Sequence, residues 1–291
     1  MWQGGLIEQV QPNKRRVMLS VVFSWQMQPA FERACFWRQQ KYEIHAGGPA
    51  VRVNPEFLRP VANIEAIPFD ALAYHNPEAM YTSRGCIRCC AFCAVPTIEG
   101  DLTELQTWQP KPIVCDNNLL ACSRRHFDKV IDSLARGVRD IDFNQGLDAR
   151  LLTPYHAGRI AELHLHTVRL AWDNVRYEGQ FRAAFALLRA AGIPGRKIHV
   201  YVLIGYHDTP DDAFYRLETV RSLGGLPNPM RYQPIDTPTR NAYVGAGWTH
   251  YELVRFMRYY SNLRVVAKIP FHEFNNEHKK TKSHGKSTNN L

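Results

Sequence analysis

Short apolar segments alternate with amphipathic stretches over residues 76–274, which make up most of the chain. Apolar runs of four to seven residues that are bounded by polar or turn-forming residues are typical of buried strands. Six segments fit this description: 80–83, 112–115, 140–143, 167–171, 198–204 and 230–233. Between them, apolar residues recur at the helical spacing. Four such segments predict helices: 127–134, 156–163, 181–191 and 211–223.

Repetition of a strand followed by a helix is typical of a parallel sheet, because each helix carries the chain back to the starting edge. Right-handed crossovers between such units favour a curved sheet. The predicted fold class is therefore α/β, a partial (βα)6 TIM-like barrel over residues 76–274. In such a barrel the chemistry lies at the carboxyl ends of the strands.

The two ends of the chain differ from this central part. Residues 17–23 form an apolar run, 29–39 fit a helix, and 42–45 fit a second strand that leads into Gly47-Gly48-Pro49. This order predicts a small N-terminal α/β extension over residues 1–75. Residues 275–291 are polar and rich in lysine, which predicts a disordered basic tail.

Length and composition narrow the function classes. A chain of 291 residues that is 45% hydrophobic suits one large domain with a small appendage. No apolar run reaches the roughly 18 residues of a membrane span, and the first residues do not resemble a secretion signal, so we expect a cytoplasmic protein with no membrane partner. The net charge of +9 is compatible with a nucleic acid partner, but charge alone is a weak signal and favours a solvated basic surface with a loose tail.

Four of the seven cysteines fall between residues 86 and 93. Clustered cysteines in a reducing compartment indicate metal ligands rather than disulfides. Cys86, Cys90 and Cys93 form C-x3-C-x2-C, while Cys89 offers the alternative C-x2-C-x3-C. Three thiolates leave one iron of a four-iron cluster open, whereas structural zinc is typically bound by four ligands. This spacing favours an iron–sulfur cluster.

The cysteine motif resembles the signature of the radical S-adenosylmethionine superfamily, including the aromatic Phe92 before the last cysteine. The lead-in Thr82-Ser83-Arg84-Gly85 is similar to that of the methylthiotransferase and cobalamin-dependent branches. This resemblance implies a [4Fe-4S] cluster held by Cys86, Cys90 and Cys93, and reductive cleavage of S-adenosylmethionine to a 5′-deoxyadenosyl radical. It also implies an electron donor such as flavodoxin or ferredoxin. The substrate is not implied.

The same resemblance predicts S-adenosylmethionine contacts after the second and third strands. Members of the superfamily often carry a Gly-Gly-Glu-Pro-like segment after the second strand; here Asp116, Asn117 and Asn118 take that place and offer equivalent acceptors. Asp and Asn also favour helix caps, so a capping role stays open. After the third strand, Arg150 matches the cofactor carboxylate, and either Gln145 or Asp148 faces the reaction centre. Alternatively, Asp148 and Arg150 form a surface ion pair.

Two later strands complete the predicted cofactor contacts. Asp173, after the fourth strand, is the candidate for the ribose hydroxyls. Ile204 and Gly205, at the end of the fifth, are expected to approach the adenine, because an apolar side chain and a bare backbone suit a flat ring. His207 is interpreted as structural.

Two features set limits on this assignment. The Asp-x-His-x-x-Gly cobalamin motif is absent, and no second cysteine cluster accompanies the first. We therefore expect a minimal enzyme with one cluster and an unidentified substrate. The alternative is a non-catalytic iron–sulfur or zinc protein that binds nucleic acid. A third possibility adds methyl transfer through cobalamin held by a partner.

Overall fold

The computed structural model describes residues 5–65, 71–262 and 266–275. The predicted basic tail lies outside the described residues except for Asn275. The first described unit is a four-stranded sheet. Its strands are β1 (Leu6–Gln11), β2 (Arg16–Val21), β3 (Glu43–Gly47) and β4 (Asn63–Ile64), hydrogen-bonded in that order. The helices α1 (Met27–Gln39) and α2 (Pro49–Val53) belong to it.

The predicted strand–helix–strand order of this unit is confirmed. β2 and β3 are parallel, with Arg16 opposite Glu43, and α1 connects them. Strand β1 was not predicted, and it pairs antiparallel to β2 with Leu6 opposite Val21. Its residues are all only partly buried, and its sequence LIEQVQ gives a weak apolar signal. A short edge strand of this kind depends on its neighbour rather than on its own pattern.

The second unit contains six parallel strands. They are β5 (Ala79–Met80), β8 (Ile113–Val114), β9 (Ile141–Phe143), β10 (Leu165–Ala171), β11 (Ile198–Ile204) and β12 (Leu226–Arg231). They pair in chain order, from β5 at one edge to β12 at the other. The predicted α/β class with a parallel sheet is therefore confirmed. A separate antiparallel ribbon pairs β6 (Ser83–Arg84) with β7 (Thr103–Glu104).

Two predicted strands differ from the observed ones for physical reasons. The first was predicted at 80–83, but the chain leaves the sheet after Met80 and Ser83 joins the ribbon. The last was predicted at 230–233 and begins at Leu226. Pro227 and Pro229 lie inside it, which argues against a central strand. β12 pairs only with β11, and an edge strand tolerates the missing N–H groups.

The helices of this unit largely follow the predicted periodicity. They are α3 (Ala71–His75), α4 (Val95–Ile98), α5 (Arg124–Ala135), α6 (Pro154–Ala161), α7 (Glu178–Ala190), α8 (Pro210–Ser222) and α9 (His250–Tyr260). In α5, Phe127, Val130, Ile131 and Leu134 are all buried on one face. Trp172 is buried and stacks on Phe181 at a ring distance of 4.4 Å. Among the described helices, none has the length and apolar character that a bilayer crossing requires.

Candidate functional site

The loops that follow five parallel strands meet around one cavity of about 790 Å³. Because these strands are parallel, their carboxyl ends share one edge of the sheet. β5 leads to the cysteine loop, residues 85–99, and β8 to β11 each add polar or aromatic groups. The chemistry-bearing residues that line the cavity are Cys86, Arg88, Cys89, Cys90, Phe92, Cys93, Asn117, Asn118, Gln145, Asp148, Arg150, Asp173, Asn174, Arg176, Tyr177, Tyr206 and His207.

The cysteine loop starts from a glycine that no other residue replaces easily. Gly85 has φ +74°, and a Cβ there would overlap the carbonyl oxygen of Asp101. The next residue, Cys86, donates its N–H to the Gly100 carbonyl at 3.2 Å. The start of the loop is thus held against its own end. The helix α4 begins at Val95, two residues after Cys93.

The three motif thiols share one wall of the cavity. The sulfur of Cys86 accepts hydrogen bonds from the Arg88 N–H and from Asn118 Nδ2, both at 3.4 Å. Burial raises the pKa of the Cys90 and Cys93 thiols, and the nearby charge of Arg150 partly offsets this at Cys90. Soft thiols with N–H groups directed at sulfur are the donor set that iron–sulfur clusters use.

The three thiols lie at one cavity but do not form a complete metal-binding group in the described part of the chain. In the described part of the chain, no group of three or more His, Cys, Asp or Glu side chains is close enough to hold a metal ion. The types of donor fit an iron–sulfur cluster. Cys89 also lines the cavity but is exposed.

Asp148 is the carboxylate on which two arginines converge. Arg150 donates to it through Nε at 2.6 Å and Nη2 at 3.0 Å, and Arg88 Nε lies 3.2 Å away. The alternative, an ion pair between Asp148 and Arg150, is formed, but it is not a surface pair, since the Asp148 side chain is only 7% exposed. Burial alone would raise the pKa of Asp148, but the hydrogen bonds and charge of Arg150 outweigh it and the pKa is lowered. Asp148 is therefore an ionised anchor.

Asn118 carries an acceptor that the fold leaves unused. Its side chain is almost wholly buried, and Nδ2 donates to Cys86 Sγ and to Asp148 Oδ2, both at 3.4 Å. Its Oδ1 has no hydrogen-bond partner among the described residues. A buried acceptor without a donor is costly, so this oxygen is available to a donor from water or a ligand in the cavity.

Asp173 adds a carboxyl group to the wall of the cavity. Burial raises its pKa to about 6, and the charges of Arg216 and Arg150 counter this only in part. A carboxyl group in this state accepts from hydroxyl donors and is poised to hold a proton near neutral pH.

Asp116 lies beside the cavity but faces away from it. It accepts hydrogen bonds from the Thr82 N–H at 2.6 Å, from Ser83 Oγ at 2.9 Å and from the Thr82 hydroxyl. Burial raises its pKa despite these bonds. Its contacts fix the lead-in to the cysteine motif to the end of β8. Asp116 does not line the cavity, and three protein donors already occupy its carboxylate.

The other predicted residues divide in the same way. Gln145 lines the cavity, and so does Phe92, which packs edge-on against Tyr206 at a ring distance of 5.6 Å. Ile204 is fully buried in the core, and Gly205 donates its N–H to Asp208 Oδ1 at 2.9 Å. Neither residue lines the cavity. The next two residues, Tyr206 and His207, line it instead.

Sequence reasoning missed the residues that act through pairing. Arg88 lies inside the motif and was not singled out, although it reaches Asp148. Asp208 and Arg216 form a buried ion pair that holds the loops after β10 and β11. An aspartate four residues after the end of β11 and an arginine in the following helix give a weak signal for such a pair. Asp208 and Arg216 are 8 positions apart in the sequence, so only the fold shows that they pair.

Comparison with known proteins does not assign this chain to a family. No model of a known protein family matches the chain, and no curated protein is significantly similar to it in sequence. The resemblance to the radical S-adenosylmethionine superfamily therefore stays a prediction from the cysteine motif.

Proposed function

We propose that the protein is a radical S-adenosylmethionine enzyme whose cluster ligands are Cys86, Cys90 and Cys93. The observation that carries the proposal is their place in the loop after the first of six parallel strands, on a cavity that the next four strands also reach. Bound there, a [4Fe-4S] cluster supplies the electron for reductive cleavage of S-adenosylmethionine to a 5′-deoxyadenosyl radical, which takes hydrogen from an unidentified substrate. A partial (βα)6 barrel is part of this proposal.

The surrounding residues of the chain stabilise the thiolate ligands. The Arg88 N–H and Asn118 Nδ2 both reach Cys86 Sγ, and hydrogen bonds to sulfur stabilise its negative charge. Asp148 binds Arg88 of the cysteine loop and also holds Arg150. These contacts orient the ligand loop and offset its charge.

Two acceptors and one guanidinium at the cavity suit S-adenosylmethionine as the ligand. Asn118 Oδ1 has no hydrogen-bond partner among the described residues, and the carboxyl group of Asp173 lines the cavity. The cofactor carries an ammonium group and two ribose hydroxyls that donate hydrogen bonds. Arg150 donates to Asp148 through Nε and Nη2. Its Nη1 is then the group that we expect to bind a ligand carboxylate. Phe92 and Tyr206 form an aromatic wall that limits water entry.

The experiment is anaerobic reconstitution followed by an assay for 5′-deoxyadenosine. We expect about four irons and four sulfides per chain, and product only when dithionite or a flavodoxin or ferredoxin system supplies electrons. The triple variant Cys86→Ala, Cys90→Ala, Cys93→Ala should bind no cluster. Cys89→Ala is the matched control and should retain cluster and product. A fully loaded wild-type chain that forms no 5′-deoxyadenosine would contradict the proposal.

The basic charge favours one other function. A non-catalytic iron–sulfur or zinc protein that binds nucleic acid is compatible with the net charge of +9. Zinc in the aerobically purified chain, with salt-dependent binding to single-stranded nucleic acid and no cofactor cleavage, would favour that function. A cytoplasmic location, where thiols stay reduced, belongs to the enzyme proposal.

A further inference from the structure

Glu99 joins three separate parts of the candidate site. Its Oε1 accepts from Arg84 Nη2 at 2.8 Å. Its Oε2 accepts both from the Gly85 N–H at 2.8 Å and from Asn117 Nδ2 at 2.6 Å. The Glu99 side chain is only 8% exposed, so all three bonds are largely shielded from water. Glu99 is not part of the cysteine motif itself.

These bonds close the cysteine loop on its own beginning. Glu99 follows α4, which comes after the last cysteine, while Gly85 immediately precedes the first cysteine. The hydrogen bond from the Cys86 N–H to the Gly100 carbonyl joins the same two ends of the loop. Arg52 of the N-terminal unit donates to the Ile98 carbonyl at 2.5 Å and fixes the same segment from outside.

The bond to Asn117 extends this closure to the second strand. Asn117 and Asn118 are adjacent in the loop after β8, and Asn118 places its amide against Cys86 Sγ. The two asparagines therefore contact the cysteine loop at both of its ends. Fixing Asn117 to Glu99 also fixes the direction in which the unused Asn118 Oδ1 points.

We propose that Glu99 is a positioning residue that closes the cysteine loop and sets the amides of Asn117 and Asn118 beside Cys86. The role assigned to Glu99 rests on the proposed function, because it concerns the loop that carries the three cluster cysteines. Glu99 does not line the cavity. It acts through the backbone of Gly85 and the side chain of Asn117.

The geometry distinguishes between replacements of Glu99. Glutamine keeps one oxygen for both Gly85 and Asn117, and its amide nitrogen replaces only the oxygen that faces Arg84. Arg84 is 40% exposed in its side chain and is free to turn to water. Alanine removes all three bonds, and aspartate is one methylene shorter and does not reach both donors. Glu104→Ala is the matched control, because Glu104 also binds a backbone N–H, that of Ser123, outside the cysteine loop.

The first measurement is hydrogen–deuterium exchange on the reduced, metal-free full-length chain. In Glu99→Ala we expect exchange at the Gly85 and Cys86 amides to rise about tenfold or more, the size of losing a hydrogen bond to a charged group. Glu99→Gln should stay within about threefold of wild type, and Glu104→Ala should leave these amides unchanged. Wild-type exchange in Glu99→Ala would overturn the proposal. If that variant does not fold, wild-type exchange in Glu99→Asp would overturn it.

The second measurement is titration with Co²⁺, followed by the thiolate-to-cobalt absorption band. We expect Glu99→Ala to bind Co²⁺ about tenfold more weakly than wild type, and Glu99→Gln to restore the affinity. Failure of Glu99→Gln to restore it would count against the role of Oε2. A chain that shows these differences but makes no 5′-deoxyadenosine keeps the role of Glu99 and rejects the radical chemistry. A chain that makes product without these differences rejects the role of Glu99 alone.

Discussion

Arg216 Nη2 lies 2.5 Å from Asp208 Oδ2, and both side chains are almost completely buried. Arg216 also donates from Nη1 to the Trp172 carbonyl at 3.0 Å. Asp208 accepts from the backbone N–H groups of Gly205 and Tyr206. One ion pair thus fixes the chain just before Asp173 and the turn that brings Tyr206 to the cavity.

Breaking this pair should destabilise the fold. We expect Arg216→Met to lower the free energy of unfolding by about 3–5 kcal/mol, because it leaves the Asp208 carboxylate buried without its charge partner. The control is Arg221→Met, whose pair with Glu218 is exposed, and we expect a loss of roughly 1 kcal/mol or less. Urea unfolding followed by circular dichroism measures both. Equal losses in the two variants would show that burial of the Asp208 pair has no special weight.

The glycine before the cysteine motif gives a second prediction. Gly85 and Gly100 both have positive φ, of +74° and +79°. A Cβ at Gly85 would overlap backbone atoms, whereas a Cβ at Gly100 meets nothing within 4 Å. We expect Gly100→Ala to cost about 1 kcal/mol of stability, from backbone strain alone. Gly85→Ala should cost clearly more and should prevent iron binding.

Thermal unfolding and iron content after reconstitution test this pair of variants. Iron content that is normal in Gly85→Ala and reduced in Gly100→Ala would contradict the role assigned to the close approach at Gly85.

Asp173→Asn should separate stability from cofactor binding. Burial raises the pKa of Asp173 to about 6 in the folded chain, above its ordinary value of 3.8. The folded chain holds the Asp173 proton more tightly than the unfolded chain does. The contribution of the neutral acid to the free energy of unfolding is therefore full below pH 3.8 and is lost as the pH rises through about 6. Asp173→Asn should therefore be more stable than wild type at pH 7.5, with the difference vanishing near pH 4. We expect weaker binding of S-adenosylmethionine, by about tenfold, because the amide is a poorer acceptor for the ribose hydroxyls.

Urea unfolding at several pH values and calorimetric titration of the cofactor give the two readouts. Asp236→Asn, at an exposed carboxylate, controls for the loss of one negative charge. A variant less stable than wild type at pH 7.5 would show that Asp173 has a stabilising partner.

His126 should make stability depend on pH near neutrality. Burial lowers the pKa of His126, and the charges of Glu104 and Asp116 offset this only partly. As the pH falls below 6.5, the unfolded chain binds a proton at this position before the folded chain does, so stability falls. We expect His126→Gln to reduce the slope of unfolding free energy against pH between 7.5 and 5.5. The exposed His164→Gln should leave the slope unchanged.

Denaturant unfolding at intervals across this range measures the slope. Identical slopes in wild type and His126→Gln would rule out His126 as a contributor. Since the His126 ring also lies 3.2 Å from the Thr82 hydroxyl, a uniform offset at all pH values would report that contact and not titration.

Local patterns in the sequence determined the elements and the cysteine motif. The periodicity of residues 127–134 predicts the buried face of α5 because helix geometry repeats within a few residues. The spacing of Cys86, Cys90 and Cys93 identifies a candidate cluster site for the same reason, since the ligands lie on one short loop. Gln145 and Asp148, which follow β9, were expected at the cavity because parallel strands present their carboxyl ends together.

Only the tertiary structure decided which side chains face the cavity. Asp116 and Asn118 are two residues apart, yet Asp116 turns to Thr82 and Asn118 faces the thiols. The partners of Glu99 lie 14, 15 and 18 residues away, and those of Asp208 include Trp248 at a separation of 40. Such bonds depend on strand register and loop path, which no local pattern encodes. The sequence alone therefore predicted where the candidate site would form, and the fold determined which of its polar groups remain free for a ligand.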